Sequence, residues 1–204
     1  MVLKNLHREY FNSMANGWDK PQDEDKIIQL KKVFQDFRLH PQGNVLDIGC
    51  GTGILIPLFS EVIKDPLNLV ELDFSEIMLL HNKKKWTNRT PMNLSHINAD
   101  AHMLPFVAES FQWIICFAVL PHLSDKKKGL QELIRVLASH GNLLVLHLMG
   151  SKELNYFHSH VGNTIAHDRL QKGSELAAVI RQSGFDVITA IDQEDLYLVH
   201  AVKN

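Results

Sequence analysis

The sequence predicts an α/β fold in which a doubly wound, mostly parallel sheet of seven strands ends in an antiparallel hairpin. From residue 45 onward, short apolar runs alternate with helix-like stretches, the pattern of strands joined by crossover helices. The first five runs are almost continuously apolar, as expected for strands that helices cover on both faces. Only residues 192–195 join the last two runs, too few for a crossover helix, so these strands should pair antiparallel.

Each apolar run predicts one strand, and the strands divide the chain into two parts. The predicted strands are 44–48, 68–73, 94–99, 111–117, 142–148, 185–191 and 196–202. Residues 41–204 therefore form the main domain, and residues 1–40 form a helical lid or cap on a single globular unit. Pro21 opens a helix with its apolar residues on one side, and simple packing of that helix on the sheet is the alternative to a lid.

The composition is that of an ordinary packed protein and excludes several classes. Hydrophobic residues make up 45% of the 204 residues and charged residues 22%, without the bias of disordered chains. A formal net charge of -2 offers no favourable field to a nucleic acid. Cys50 and Cys116 are too few for a disulfide framework, and no apolar window reaches the ~18 residues of a membrane span. We expect a reduced, cytoplasmic protein without a nucleic-acid or membrane partner, and leave its oligomeric state open, with a homodimer as one option.

A glycine-rich loop follows the first predicted strand in the segment VLDIGCGTG. Gly49, Gly51 and Gly53 allow a ligand to approach the main chain where a Cβ would clash. The dinucleotide fingerprint needs its third glycine where Ile54 stands. Asp47 lies just before the loop and would repel a pyrophosphate but attract an ammonium group. The loop therefore predicts a ligand that carries a cation.

Asp73 ends the second predicted strand, in the segment VELDFS. A carboxylate at this position can accept hydrogen bonds from both hydroxyls of a ribose. A ligand with an amino-acid head and a ribose indicates S-adenosylmethionine as the cofactor.

Further segments follow the glycine loop at characteristic spacing. In order, the five are VLDIGCGTG (45–53), VELDFSEIML (70–79), NADAHMLPF (98–106), FQWIICFAVLPHL (111–123) and LIRVLASHGNLLVL (133–146). They resemble the successive motifs of class I S-adenosylmethionine-dependent methyltransferases of the small-molecule type, a methyltransferase-domain family. The resemblance implies a Rossmann-like methyltransferase fold and an enzyme that transfers a methyl group to a small molecule by in-line displacement, with S-adenosylhomocysteine as the product.

The resemblance also implies which residues of the loop bind the cofactor. Asp47, Gly49 and Gly51 would hold its methionine part, and Cys50 and Gly53 belong to the same cofactor-binding loop. Read without the other motifs, Asp47 could equally be a strand-end carboxylate that caps the following helix.

The remaining cofactor contacts are implied for residues further along the chain. Asp73 would bind the ribose, Phe74 would cover one face of the adenine, and Asp100 with Ala101 would meet the adenine edge. Gln112 departs from the family pattern, which often has an aspartate there, but that position usually supports the loops rather than the methyl group.

Two histidines are candidates for a general base. His122 follows the fourth predicted strand and His147 closes the fifth, at the edge of the sheet that carries the glycine loop. An unperturbed imidazole has a pKa of about 6.5, which suits proton removal near neutral pH. The alternatives are a His122 without catalytic role and a His147 that is a satisfied core histidine.

The acceptor pocket is predicted between the N-terminal aromatic residues and the polar segment 150–170. Its candidate residues are Tyr10, Trp18, Asn155 and His158. We predict no metal site, although His158, His160 and His167 leave open whether the segment binds one; they lack the helical spacing of common metal motifs.

Two other functions share much of this pattern. One is a non-catalytic S-adenosylmethionine-binding module that regulates a partner. The other is an NAD-dependent oxidoreductase, which Asp47 and Ile54 disfavour.

Overall fold

The structure is a computed structural model that describes residues 2–62, 67–90, 92–161 and 164–204. Its strands are β1 (Gly43–Ile48), β2 (Leu67–Asp73), β3 (Asn93–Asn98), β4 (Phe111–Phe117), β5 (Leu137–His147), β6 (Phe185–Gln193) and β7 (Leu196–Lys203). They form a seven-stranded sheet in the order β3-β2-β1-β4-β5-β7-β6. β1 to β5 are parallel, and β7 runs antiparallel to both of its neighbours, β5 and β6. The predicted fold class is confirmed.

Helices lie on both faces of this sheet. Within the described residues they are α1 (Val2–Met14), α2 (Asp23–Asp36), α3 (Leu55–Val62), α4 (Glu76–Trp86), α5 (Lys126–Val136), α6 (Ser151–His160) and α7 (Gly173–Gln182). Neighbouring residues of one strand enter different cores: Ile114 of β4 belongs to one hydrophobic cluster and Ile115 to the other. Covering both faces explains why the central strands are continuously apolar in sequence.

β5 begins earlier than the predicted residue 142. It starts at Leu137, directly after α5, and Leu137 pairs with Phe111 of β4. The register of β4 and β5 then shifts before Trp113 pairs with Asn142. This irregularity accommodates residues 138–141, Ala-Ser-His-Gly. Because these residues interrupt the apolar pattern, the sequence does not show that the strand begins before them.

The two N-terminal helices have different surroundings. α2 buries Leu30, Val33 and Phe34 in the core, with the Phe34 ring 6.0 Å from the Phe59 ring. It therefore packs against the main domain, as in the simpler of the two interpretations. α1 and the short 3-10 turn Ala15–Gly17 contact α4 instead. A lid role is thus left to α1, and the division at residue 40 stays a prediction.

No helix within the described ranges combines the length and apolar character that crossing a bilayer requires.

Candidate functional site

The glycine loop connects β1 to α3 and is fastened to the end of β2. Gly49 N and Cys50 N both donate to Leu72 O, at 2.7 and 3.1 Å. Gly49 has a φ of 69°, and a Cβ on this residue would clash with Cγ2 of Val119. Both the left-handed backbone and the close neighbour therefore require glycine at this position of the loop.

Asp73 joins this loop to the turn that follows β2. Its carboxylate accepts hydrogen bonds from Gly51 N at 2.9 Å and from Ser75 N at 2.8 Å. Burial raises the pKa of Asp73, and the backbone N–H groups of Ser75, Gly51 and Phe74 partly counteract this. Ser75 also caps α4 by accepting from Met78 N. The carboxylate is therefore held rigidly at the position predicted for the ribose.

Two carboxyl groups beneath the loop each have an oxygen without a hydrogen-bond partner. These atoms are Oδ1 of Asp47 and Oε1 of Glu71, on side chains 1% and 0% exposed. Burial raises the pKa of both groups, to about 7 for Glu71, and the charge of Glu71 further raises the pKa of Asp47. Because an unpaired buried carboxylate is costly, this place fits a ligand that brings a positive charge.

A cavity of about 150 Å³ opens at the C-terminal edge of the parallel strands. Gly49, Phe74 and Ala101 line it together with His7 and His122. The cavity therefore brings part of the predicted cofactor set, Gly49, Phe74, Asp100 and Ala101, together with one of the two predicted bases, whereas Asp47, Cys50, Gly51, Gly53 and Asp73 are not among its lining residues.

α1 covers this cavity. The guanidinium of Arg8 lies 5.7 Å from the centroid of the Phe74 ring, and the Phe11 ring lies 6.1 Å from it. Asn12 accepts from Ser75 Oγ at 2.6 Å and so attaches α1 to the start of α4. Residues of the N-terminal helix thus lie against the Phe74 ring, which is predicted to cover the adenine.

Asp100 lies on the cavity wall and is fixed by its neighbour His102. Oδ1 of Asp100 accepts from His102 N at 2.9 Å and also pairs with His102 Nδ1. His102 Nε2 accepts from Asp125 N at 3.1 Å, so the imidazole proton is on Nδ1. The Asp125 side chain accepts from Lys128 N and caps α5. The position of Asp100 is therefore coupled to the start of that helix.

Asp168 joins three histidines from distant parts of the chain. Its carboxylate contacts His122 Nδ1 at 2.6 Å and His7 Nε2 at 3.0 Å. His158 Nδ1 donates to the main-chain oxygen of Asp168 at 3.0 Å, and the His122 and His158 rings are 5.1 Å apart. Burial alone would raise the pKa of Asp168, but the bonds from His122 and His7 hold it below the usual value. We call these four residues the histidine cluster.

His147 lies beside this cluster but is not bonded to it. Its side chain is 3% exposed, and its Nε2 has no hydrogen-bond partner. Burial, and to a lesser extent the charges of His122 and His158, lower the pKa of His147 to about 3. Its ring packs edge-on against Tyr197, with the centroids 5.7 Å apart. The imidazole is therefore neutral at physiological pH.

The remaining predicted pocket residues are less closely associated with the cavity. Trp18 is 40% exposed and lies over the glycine loop, with Nε1 3.5 Å from the place of a Cβ on Gly51. Tyr10 packs edge-on against Phe11, 5.2 Å away. Both polar atoms of the Asn155 amide are bonded to the main chain of Leu170, at 2.8 and 2.9 Å. This favours a structural role for Asn155, whereas His158 is part of the histidine cluster.

The three histidines considered for a metal are not brought together by α6 and the following loop. His160 is exposed and bonds to Tyr156 O, and His167 is exposed as well. Within the described parts of the chain, no group of three His, Cys, Asp or Glu side chains is arranged to hold a metal ion. Residues 162 and 163 of the predicted acceptor segment lie outside the described residues.

Sequence reasoning did not single out His7, Glu71 or His102, and Asp168 was only one of several polar residues in the segment 150–170 predicted for the acceptor pocket. One signal was available for Glu71, an acid within the apolar run NLVELD of a strand covered on both faces. His7 and Asp168 are 161 positions apart, and nothing local indicates that they meet.

Comparisons with known proteins agree with this geometry. Residues 45–141 match the family model described as "Methyltransferase domain". The ubiquinone/menaquinone biosynthesis C-methyltransferase UbiE of Pectobacterium carotovorum is 31% identical over 144 residues, which cover 68% of this chain and 57% of that protein. The chain therefore spans little more than half the length of the curated relatives it matches.

Solved structures show the same fold at lower identity. A SAM-dependent methyltransferase from Aquifex aeolicus superposes with a TM-score of 0.73 at 19% identity, covering 95% of this chain and 98% of that one. Magnesium protoporphyrin IX methyltransferase from Synechocystis PCC 6803, solved with bound SAH, gives 0.73 at 17%, covering 98% and 100%. With its glycine loop, its strand order and the matching domain model in agreement, the chain belongs to the class I S-adenosylmethionine-dependent methyltransferases.

Proposed function

We propose that the protein transfers a methyl group from S-adenosylmethionine to a small-molecule acceptor. The observation that carries this proposal is one cavity lined both by Gly49 and Phe74 of the cofactor motifs and by His122. A donor bound along the motifs would place its reactive end toward an imidazole, as methyl transfer with proton removal requires.

The residues around the glycine loop fit the cofactor. The unpartnered Oδ1 of Asp47 suits an ammonium group, and the left-handed turns at Gly49 and Gly51 would present main chain without side chains to the methionine part. Cys50 and Gly53 shape the same loop, where Gly53 N donates to Cys50 O at 3.0 Å.

The adenosine part would lie along the rest of the cavity. Asp73, which anchors the glycine loop through Gly51 N, would accept from the ribose hydroxyls, and Phe74, on the cavity wall, would cover the adenine. Asp100 and Ala101 would meet the adenine edge, with His102 holding Asp100 in position.

When bound, the cofactor supplies a methyl group already activated by its sulfonium. The chain has to orient the acceptor, exclude water and take up a proton where the acceptor carries one. His122 suits that last task because its Nδ1 is bonded to Asp168, which fixes the ring and leaves Nε2 as the basic atom. Asp168 thus positions the base, as a carboxylate does for histidine in other enzymes.

His147 suits proton removal less well. With a pKa lowered to about 3, its imidazole would take up a proton poorly near neutral pH. We therefore propose His122 as the base and a neutral, hydrogen-bonding role for His147.

The acceptor enters beneath α1. Ligand pockets usually measure at least about 300 Å³, so a cavity of about 150 Å³ implies that α1 shifts outward to admit ligands. His7 of α1 and His158 of α6 would then border the acceptor, with Tyr10 and Trp18 at the outer side of the lid.

The formal net charge of -2 offers nothing to a nucleic acid, which leaves a small-molecule acceptor as the favoured class. The cytoplasmic location and the absence of a nucleic-acid or membrane partner stay predictions, and the oligomeric state stays open.

Two measurements test the proposal. Calorimetric titration with S-adenosylhomocysteine and with NAD in parallel should show binding of the first only. Incubation with methyl-labelled cofactor and a metabolite pool, followed by mass spectrometry, should yield a labelled product. Preference for NAD would overturn the cofactor assignment, whereas tight cofactor binding without product from any pool would indicate the non-catalytic module instead.

A further inference from the structure

Asp47 and Glu71 occupy directly opposed positions in the sheet. They are register partners in the parallel pair β1 and β2. Partner residues on neighbouring parallel strands are about 4.8 Å apart and point to the same face. Both side chains are fully buried, and each retains an oxygen without a hydrogen-bond partner. Two carboxyl groups therefore lie side by side beneath the glycine loop.

Neighbouring side chains donate hydrogen bonds to only some of the carboxyl oxygens of this pair. Glu71 Oε2 accepts from Asn82 Nδ2 at 2.7 Å, and Asn82 Oδ1 accepts from His96 Nε2 at 2.9 Å. His96 is the register partner of Glu71 on β3, and burial lowers its pKa, as does the charge of Lys83. The neighbour on the far side of Glu71 is thus a neutral imidazole.

The other titratable neighbours supply no positive charge to offset the two carboxyl groups. Asp73 on the same strand is a carboxylate and raises the pKa of both acids. Burial raises the pKa of the Cys50 thiol, and the nearby charges of Glu71, Asp73 and Asp47 raise it further, so the thiol stays protonated. In the described part of the chain, no lysine or arginine forms an ion pair with Asp47 or Glu71.

Two buried like charges this close cannot both form without a cation, as the paired carboxyl groups of other active sites illustrate. The pKa of Glu71 is raised to about 7 and that of Asp47 is raised as well. Asp73 is the least suited of the three acids to hold a proton, since two backbone N–H groups stabilise its ionised form.

We propose that Asp47 and Glu71 share one proton in the ligand-free protein and that the ammonium group of the cofactor displaces it. The inference rests on the proposed function, because that assigns the ammonium group to Asp47. It makes Glu71, which like Asp47 is buried and not among the residues that line the cavity, a residue that couples cofactor affinity to pH.

The sign of the linkage follows from which state holds the proton. The free protein binds a proton that the complex lacks, so affinity rises with pH, by up to about tenfold per pH unit while one full proton is released. The released fraction falls as pH passes upward through about 7, where Glu71 ionises in the free protein as well.

Calorimetry with S-adenosylhomocysteine in phosphate and in Tris counts the protons, because the two buffers differ in ionisation enthalpy. We expect release of most of one proton at pH 6.5 and little at pH 8.5. 5′-Methylthioadenosine has the adenosyl group but no ammonium, so it should bind without releasing the proton. Glu71→Gln should lose at least half of the release seen with S-adenosylhomocysteine, whereas Glu109→Gln, a change at an exposed carboxylate, should keep it.

The outcomes separate this inference from the function it rests on. Absence of S-adenosylhomocysteine binding in every buffer would overturn both. Binding without proton exchange between pH 6 and 8, equal release with 5′-methylthioadenosine, or unchanged release in Glu71→Gln would overturn the shared proton and leave the function standing.

A measurement on the unaltered protein covers the case that Glu71→Gln does not fold. In the infrared difference spectrum, the band of a protonated, buried carboxyl group should disappear when S-adenosylhomocysteine binds. Persistence of that band in the complex would overturn the inference.

Discussion

The proposed cofactor side and the proposed acceptor side of the site differ in how their polar groups are hydrogen-bonded. On the cofactor side, Asp47 and Glu71 come from neighbouring strands and each leaves an oxygen unpartnered. On the acceptor side, His7 and His122 come from distant parts of the chain and both are bonded to Asp168. Two buried carboxyl oxygens on the first side lack a partner that a cationic ligand would supply, whereas on the second side a ligand would have to compete with the hydrogen bonds of Asp168. Substitutions on the first side should therefore reduce cofactor binding, whereas substitutions on the second side should reduce the rate of methyl transfer.

The largest effect is expected from Gly49→Ala on the cofactor side. The substitution would strain a backbone with φ of 69° and push a methyl group into Val119. Left-handed strain together with overpacking should cost about 2 to 5 kcal/mol of unfolding free energy, and cofactor binding should be lost. Urea denaturation and calorimetry with S-adenosylhomocysteine measure the two quantities.

Gly184→Ala is the matched control. Gly184 also has a positive φ, of 88°, but a Cβ there would meet nothing within 4 Å. It should lose only the strain, about 1 to 2 kcal/mol, and bind S-adenosylhomocysteine normally. Equal losses in the two variants would show that Val119 does not constrain the loop.

Asp168→Asn should produce the next largest effect, on the acceptor side. The amide cannot act as a carboxylate toward both His122 and His7, so the ring of His122 loses its fixed orientation. We expect kcat to fall by roughly 10²-fold or more, without a change in the affinity for S-adenosylhomocysteine. The labelled-methyl assay measures the rate, with the exposed Asp186→Asn as control; an unchanged kcat would remove Asp168 and His122 from the chemistry.

Asp73→Ala returns to the cofactor side with a smaller effect. It removes a buried acceptor that holds Gly51 N and Ser75 N and that would bind the ribose hydroxyls. Affinity for S-adenosylhomocysteine should weaken by about 1 to 3 kcal/mol. A 2′-deoxy analogue should distinguish wild type from the variant, because only the wild type loses a contact with it. Similar losses in both proteins would place the ribose elsewhere.

His147→Phe tests the boundary between the two sides through its pH dependence. The pKa of His147 is lowered to about 3 in the folded protein, so the unfolded chain takes up a proton more readily below about pH 6.5. The wild type should therefore lose stability as pH falls from about 6.5 toward 3. Phenylalanine has no group to protonate, so the variant escapes this loss. Its unfolding free energy relative to the wild type should therefore be about 2 kcal/mol more favourable at pH 5 than at pH 8. Urea denaturation of both proteins at the two pH values measures this difference. The same difference at pH 5 and at pH 8 would contradict a neutral, buried His147.

The fold and the cofactor side could both be predicted from the sequence because both depend on local patterns along the chain. The glycine loop, Asp47 and Asp73 depend on strand ends and turns whose residue types are set locally. Continuous apolar runs likewise identify strands covered on both faces, and the four-residue link predicts the antiparallel hairpin. Only boundaries such as the start of β5 differ, where a register shift interrupts the apolar pattern.

The acceptor side depends on tertiary contacts that leave no local pattern. His122 was a candidate from its place after β4, but its partner Asp168 is 46 positions away and His7 is 161 positions from Asp168. Asn155 shows the converse, because a polar residue in the expected segment proves to be bonded to the main chain of Leu170. The assignment of roles to individual residues stays a prediction that the variants above test.

The order of the last strands also has a consequence for synthesis on the ribosome. β7 follows β6 in the chain but lies between β5 and β6 in the sheet. While the nascent chain emerges, β6 has no neighbour to pair with, and the edge of β5 remains open until residues 196–203 leave the exit tunnel. Stalled chains that end before residue 196 should therefore be cut readily by protease beyond β5, whereas released chains should resist.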